Sequence, residues 1–211
     1  MGCDIHFYVE RKIDGVWVQQ FDPTIEDPTN HPARWSKYWF HNRNYMLFGL
    51  LAGVRNDEIT PLADPRGVPS DMSSSLSSEW NDWSGDGHTP SYFTLPELLE
   101  ARDKNSTFTG FVNIKNYRIY KQTGQPTNVL SDINEVKWEF RNQSHEIVPE
   151  AEMERYVKMK AFLGETEYIT EIIWERPNRT ISSFFWEETL NKIIELDPDP
   201  NNIRCVFWFD N

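Results

Sequence analysis

An α+β fold with a mixed or mostly antiparallel sheet follows from three features of the sequence. The N-terminus reads as a β-hairpin. The C-terminus reads as an apolar strand. The helical segments lie in groups between strands and do not alternate with them as a βαβ series would. One domain spanning residues 1–211 is expected, with helices packed on the sheet and a long, loop-rich insertion at about 55–93.

The elements are read in order. Cys3, Ile5, Phe7 and Val9 alternate with Asp4, His6, Tyr8 and Glu10, the period of a half-buried strand. Asp14-Gly15 is the favoured two-residue turn, and Val16-Trp17-Val18 starts the return strand. Residues 22–42 read as a loop. Tyr45, Leu47, Phe48, Leu50, Leu51 and Val54 give a broad apolar helix face, capped by Asn42 or Asn44. The 55–93 insertion is punctuated by Pro and Gly, with a short helix near Ser70–Trp80. Thr94 and Glu97 form a capping box that opens a helix through about Arg102. Residues 104–110 read as a break, and Phe111–Tyr120 shows no clean period. Val136, Trp138 and Phe140 alternate like a strand. Pro149–Leu163 reads as helix, Tyr168–Trp174 as strand, and a further helix opens at Ser182 or Ser183. Ile203–Phe209 is the last strand, apolar on both faces and so expected to be central.

Composition bounds the function. Nine Trp among 14 % aromatic residues argue against a disordered chain. The formal charge is −12, with 16 acids and 9 bases in residues 1–105 and 17 and 12 in residues 106–211. Direct binding of a nucleic-acid backbone through a broad basic patch is therefore not expected. No apolar run reaches the ~20 residues of a membrane span. Cys3 and Cys205, at opposite ends of the chain, suit free buried thiols better than a disulfide framework.

Candidate chemistry falls in five places. Asp4 and His6, two residues apart on a strand, share one face, a spacing at which a carboxylate and an imidazole can clasp a divalent metal. Asp210, at the end of the last strand, is a third candidate ligand if strand order brings it close. The glycine-broken stretch holding Asp82, Asp86, His88, Thr89 and Ser91 offers Asp86 and His88 as acid and base and Ser91 as a ligand contact. Arg43, Arg55 and Arg66, with Asn44, suit phosphate or carboxylate groups. Trp35, Tyr38, Trp39, Phe40, Tyr45, Trp80, Trp83 and Tyr92 supply faces on which a base can stack. Each feature also has an ordinary structural explanation: polar strand faces, turns, surface ion pairs and packing. Walker, dinucleotide-fingerprint, nucleophile-elbow and zinc-spacing motifs are absent from the sequence.

The opening Met1-Gly2-Cys3-Asp4-Ile5-His6 resembles that of a group of small bacteriophage and bacterial proteins without an established activity. The resemblance extends through Arg43-Asn44-Tyr45, Leu47-Phe48, Leu51–Arg55, Pro65-Arg66-Gly67, His88 with Ser91, and Val206–Asn211. It leaves about 104–200 unmatched. Where similar proteins carry a second His just after the one matching His88, this chain has Pro90. The resemblance implies a phage-like setting, hence the cytoplasm of a host cell, and no particular reaction. Three functions are expected to compete. One is metal-dependent hydrolysis of a small phosphorylated or nucleotide ligand, such as a host signalling nucleotide, using a divalent ion at Asp4, His6 and Asp210. The second is sequestration of such a ligand without chemistry. The third is inhibition of a host protein by the acidic surface. Self-association is left open.

Overall fold

The computed structural model describes residues 2–25, 36–83, 85–159 and 164–211. The chain is α+β, with two compact units. The first comprises Met1–Arg55, Pro61–Lys104 and Pro177–Asn211, and the second Asn56–Thr60 and Asn105–Arg176. Among the described residues no helix is long and apolar enough to cross a membrane.

The first unit is built on a four-stranded antiparallel sheet. β1 (Asp4–Ile13) and β2 (Val16–Gln20) form the expected hairpin. Asp14 and Gly15 both take positive φ, 50° and 83°, as a turn matched to strand twist requires. β3 (His88–Thr94) and the C-terminal β7 (Ile203–Asp210) complete the order β2-β1-β7-β3. β7 is thus interior and buried on both faces, which explains its unbroken apolar run. Its pairing with β1 sets Asp4 opposite Asp210, His6 opposite Trp208 and Glu10 opposite Arg204.

On one face Phe207 stacks between Phe7 and Phe93 at 5.8 and 6.0 Å. α1 (Tyr45–Ala52) adds Phe48, 5.1 Å from Phe209. Asn44 caps α1 by accepting a hydrogen bond from the Leu47 N–H, and Gly53 ends it at φ 68°. On the other face Tyr8, Val206 and Trp208 pack with Leu76 of α2 (Ser74–Trp83), and Trp80 and Trp83 close over them. α3 (Leu95–Arg102) opens with the capping box of Thr94 and Glu97. Residues 184–189 wind as a π-helix into α7 (Leu190–Ile194).

A buried ion pair fastens α2 to the sheet. The Arg204 Nε donates to Glu10 at 2.8 Å, and Nη1 donates to Asp71 at 2.6 Å. The guanidinium lies 4.1 Å from the Trp17 ring, and the other Glu10 oxygen accepts from the Ser73 N–H just ahead of α2.

The second unit carries a three-stranded sheet in the order β4-β6-β5, with β5 parallel to β6. Its strands are β4 (Asn105–Asn113), β5 (His145–Ile147) and β6 (Glu167–Pro177); its helices are α4 (Ile114–Thr123), α5 (Ile133–Glu139) and α6 (Glu150–Met159). Three sequence expectations change here and in the insertion. The break at 104–110 is strand β4, because its inward positions include Ser106 and Gly110, which hide the alternation. Gly110 is small of necessity: a Cβ there would collide with Val129. The strand at Val136, Trp138 and Phe140 is instead helix α5, capped by Asp132 through the N–H groups of Asn134 and Glu135; Val136 is its one buried residue, and Trp138 lies exposed beneath Arg141. The 55–93 loop contains α2 and most of β3, so His88 and Ser91 belong to the sheet.

Candidate functional site

At the end of the β1–β7 pair lies a cleft of about 490 Å³, within the size range of small-molecule sites. Its floor is Asp4, His6 and Asp210; its walls are Lys37, Tyr38 and His41 on one side and Trp83 on the other. The period of β1 places Asp4 and His6 on one face. The antiparallel register adds Asp210 to them. Phe40 makes an antiparallel bridge to Phe7 beyond the end of β2, and the Trp39 N–H donates to the Phe7 carbonyl, which holds the 37–41 wall against β1.

His6 is 8 % exposed and is the centre of the site. Its ring lies 4.2 Å from that of Trp83, 5.4 Å from Tyr38 and 6.1 Å from Trp208. Its Nε2 faces Asp210 Oδ2 at 3.4 Å but is not aligned for a hydrogen bond, so this buried nitrogen has no hydrogen-bond partner among the described residues. Burial holds the imidazole below its usual pKa against the opposing pull of Asp210 and Asp4, which makes it neutral at pH 7. The Tyr8 hydroxyl beneath it is also buried, without an aligned partner among the described residues, and burial pushes its pKa upward.

Asp4 enters the site as half of an ion pair. Arg43 donates from Nε to Oδ1 at 2.6 Å and from Nη2 to Oδ2 at 2.7 Å, and this fork holds the Asp4 carboxyl below its usual range. The Asp4 N–H donates to Asp210 Oδ1 at 3.2 Å. Gly2 contributes by having no side chain: a Cβ there would lie 2.6 Å from Arg43 Nη1. Lys37 is paired with Glu79 of α2 at 2.6 Å. With both Asp4 oxygens engaged by Arg43, Asp4, His6 and Asp210 do not form a metal shell as they stand. No group of three His, Cys, Asp or Glu side chains among the described residues does so.

The other expected site residues lie apart from this cleft. His88 pairs with Phe209 in the sheet and stacks on it at 6.0 Å, so it projects from the face opposite His6 and Trp208. Its Nδ1 meets Thr89 Oγ1 at 2.9 Å; Thr89 holds φ 51° at a bulge in β3. Asp86 is exposed in the turn after Trp83 and has no side-chain hydrogen bond among the described residues. Arg55, at φ 58°, donates to the Asn211 side chain at 2.7 Å. Arg66 is spent on a two-point pair with Glu97, its guanidinium lying over the Phe93 ring, and Ser91 accepts from the Arg66 backbone N–H. Asn44 caps α1 and donates to the Ile181 carbonyl. Both cysteines are free and buried. Trp35 lies outside the described residues.

Lys37 and His41 escaped the sequence reading because they stand in a loop with no period; only the nearby aromatics marked that stretch. Comparison of the chain with protein-family models, with curated proteins and with solved structures returned no match.

Proposed function

We propose that the cleft binds a small phosphorylated, nucleotide-like ligand and that the protein sequesters it, in the host cytoplasm and phage-like setting that the N-terminal hexapeptide implies. The observation that carries this reading is the His6 ring set among Tyr38 and Trp83, its buried Nε2 without an aligned hydrogen-bond partner among the described residues. Flat rings give a base its stacking faces, and a buried polar atom gives it a point of recognition. Lys37, which lines the cleft and pairs with Glu79, and Arg43, which pairs with the cleft residue Asp4, are the cations that a phosphate in the cleft would draw on.

The test is a panel of mono-, di- and cyclic nucleotides followed by calorimetry, with bound ligand released by denaturation and weighed by mass spectrometry. Sequestration predicts binding and recovery of intact ligand. Trp83→Ala should weaken binding by about 1–3 kcal/mol, the worth of one base–aromatic stack. Absence of binding across the panel, or binding indifferent to both His6→Ala and Trp83→Ala, would refute it.

A second reading, hydrolysis of the same ligand, is supported by one observation. His6 Nε2 lies 3.4 Å from the Asp210 carboxylate, and a ligand that tightened this contact into a hydrogen bond would complete a general base with its orienting partner. Ligand recovered as cleaved product in the same experiment, and intact with Asp210→Asn, would favour it. A divalent ion at Asp4, His6 and Asp210 would have to take Asp4 from Arg43, so metal analysis of wild type beside Arg43→Gln tests that part separately.

A further inference from the structure

Arg43 differs from Arg204 and Arg66, two other clamped arginines of the first unit. Arg204 is buried and has three donors engaged together with the Trp17 ring. Arg66 holds Glu97 at two points and lies over Phe93. Among the described residues Arg43 has the Asp4 carboxylate alone for its hydrogen bonds, and both side chains are open to water, 56 % and 45 % exposed. The fork is nonetheless well placed. Gly2 leaves the slot in which Nη1 rests, and Asp4 itself lines the cleft. An exposed ion pair is worth little, because water and salt screen both partners. A phosphate offers the same bidentate geometry as a carboxylate, with more charge.

We propose that Arg43 is the exchangeable anion-binding residue of the cleft: Asp4 occupies its fork in the free protein, and a phosphate group of the ligand takes the place of Asp4. This rests on the reading of the cleft as a site for a phosphorylated ligand and adds which residue recognises the phosphate. It also gives Asp4 a function of its own. Asp4 acts as a competitor that lowers affinity for weak or singly charged anions, because ligand must first displace it. Release of Asp4 would then leave its carboxylate beside His6 and Asp210 in the ligand-bound protein.

The experiment follows the arginine Nε–H signals by NMR while inorganic phosphate, and separately pyrophosphate, is titrated into the full chain. The Arg43 signal is expected to move and the Arg66 signal to stay, since the latter guanidinium is held at two points by Glu97, donates to the Tyr92 carbonyl and lies over the Phe93 ring. Asp4→Ala should tighten phosphate binding at Arg43 by up to about fivefold, the equilibrium value of an exposed pair. Asp4→Asn, nearly isosteric, should shift it in the same direction by less. Arg43→Gln should abolish the effect of phosphate on its neighbours, with the unmoved Arg66 signal reporting an intact fold. The proposal is overturned if the Asp4 variants leave phosphate affinity unchanged, or if Arg43 and Arg66 respond alike. The nucleotide panel reads His6 and Trp83, whereas this titration reads Arg43. Nucleotide binding with a static Arg43 would remove the exchange and keep the cleft. Phosphate exchange without nucleotide binding would do the reverse.

Discussion

Replacing Glu10 by alanine should destabilise the first unit by about 3–5 kcal/mol, the cost of breaking a buried ion pair from one side. Glu10 is 0 % and Arg204 4 % exposed, so neither charge has recourse to water. In the variant Arg204 keeps its bonds to Asp71 but loses the acceptor for Nε, and the Ser73 N–H loses its partner as well. At about 2–4 °C per kcal/mol for a chain of this size, the midpoint should fall by roughly 6–20 °C. Urea unfolding followed by tryptophan fluorescence measures the free energy, and thermal unfolding the midpoint. Glu100→Ala is the reference: its pair with Lys104 is exposed, and its loss should cost no more than about 0.5 kcal/mol. Glu10→Leu with Arg204→Met, which removes both charges, should recover most of the loss. A cost below about 1 kcal/mol for Glu10→Ala, or a double variant no better than the single, would refute the account. Since Ser73 leads into α2, Glu10→Ala should also loosen the seat of Trp83 over His6 and weaken ligand binding.

Three further outcomes are expected. Phe207→Ala empties the middle of the Phe7–Phe207–Phe93 stack and should cost about 3–5 kcal/mol by denaturant unfolding; a loss under about 1 kcal/mol would contradict its central place. Gly87→Ala puts a methyl 2.9 Å from the Trp83 carbonyl and 3.0 Å from the Trp80 ring, so it should displace Trp83 and weaken ligand binding more than it lowers stability, read by calorimetry on ligand and by thermal unfolding. Burial first, then Glu135, raises the Glu58 carboxyl above its usual range against the pull of Arg176. The folded state therefore holds that proton more tightly than the unfolded chain, and the stability it contributes is present in acid and lost as pH rises through the folded value. Glu58→Gln should accordingly be more stable than wild type at pH 7 and lose that advantage near pH 4; an equal difference at both would exclude Glu58 as the cause.

Local chemistry made much of the fold legible. The β1–β2 turn follows from Asp14-Gly15, the start of α1 from Asn44, and the start of α3 from Thr94 and Glu97, because each signal acts within a few residues. β7 could be placed in the interior because an apolar run on both faces has no other stable position. The second unit was harder to read. In β4 small buried residues stood where large ones would have shown the alternation, and in α5 a capping Asp132 outweighed a chance period of two.

The sequence by itself determined that Asp4 and His6 share a face, since side chains two apart on a strand must. Only the tertiary structure decided what they meet. The β1–β7 register, a pairing of residues 206 positions apart, sets Asp210 against them. The β3–β7 register sends His88 to the opposite face with Phe209. Packing gives the Asp4 carboxylate to Arg43 and brings Trp83 onto His6. Strand order and register are long-range choices made by the burial of whole faces, and no short stretch of chain records them.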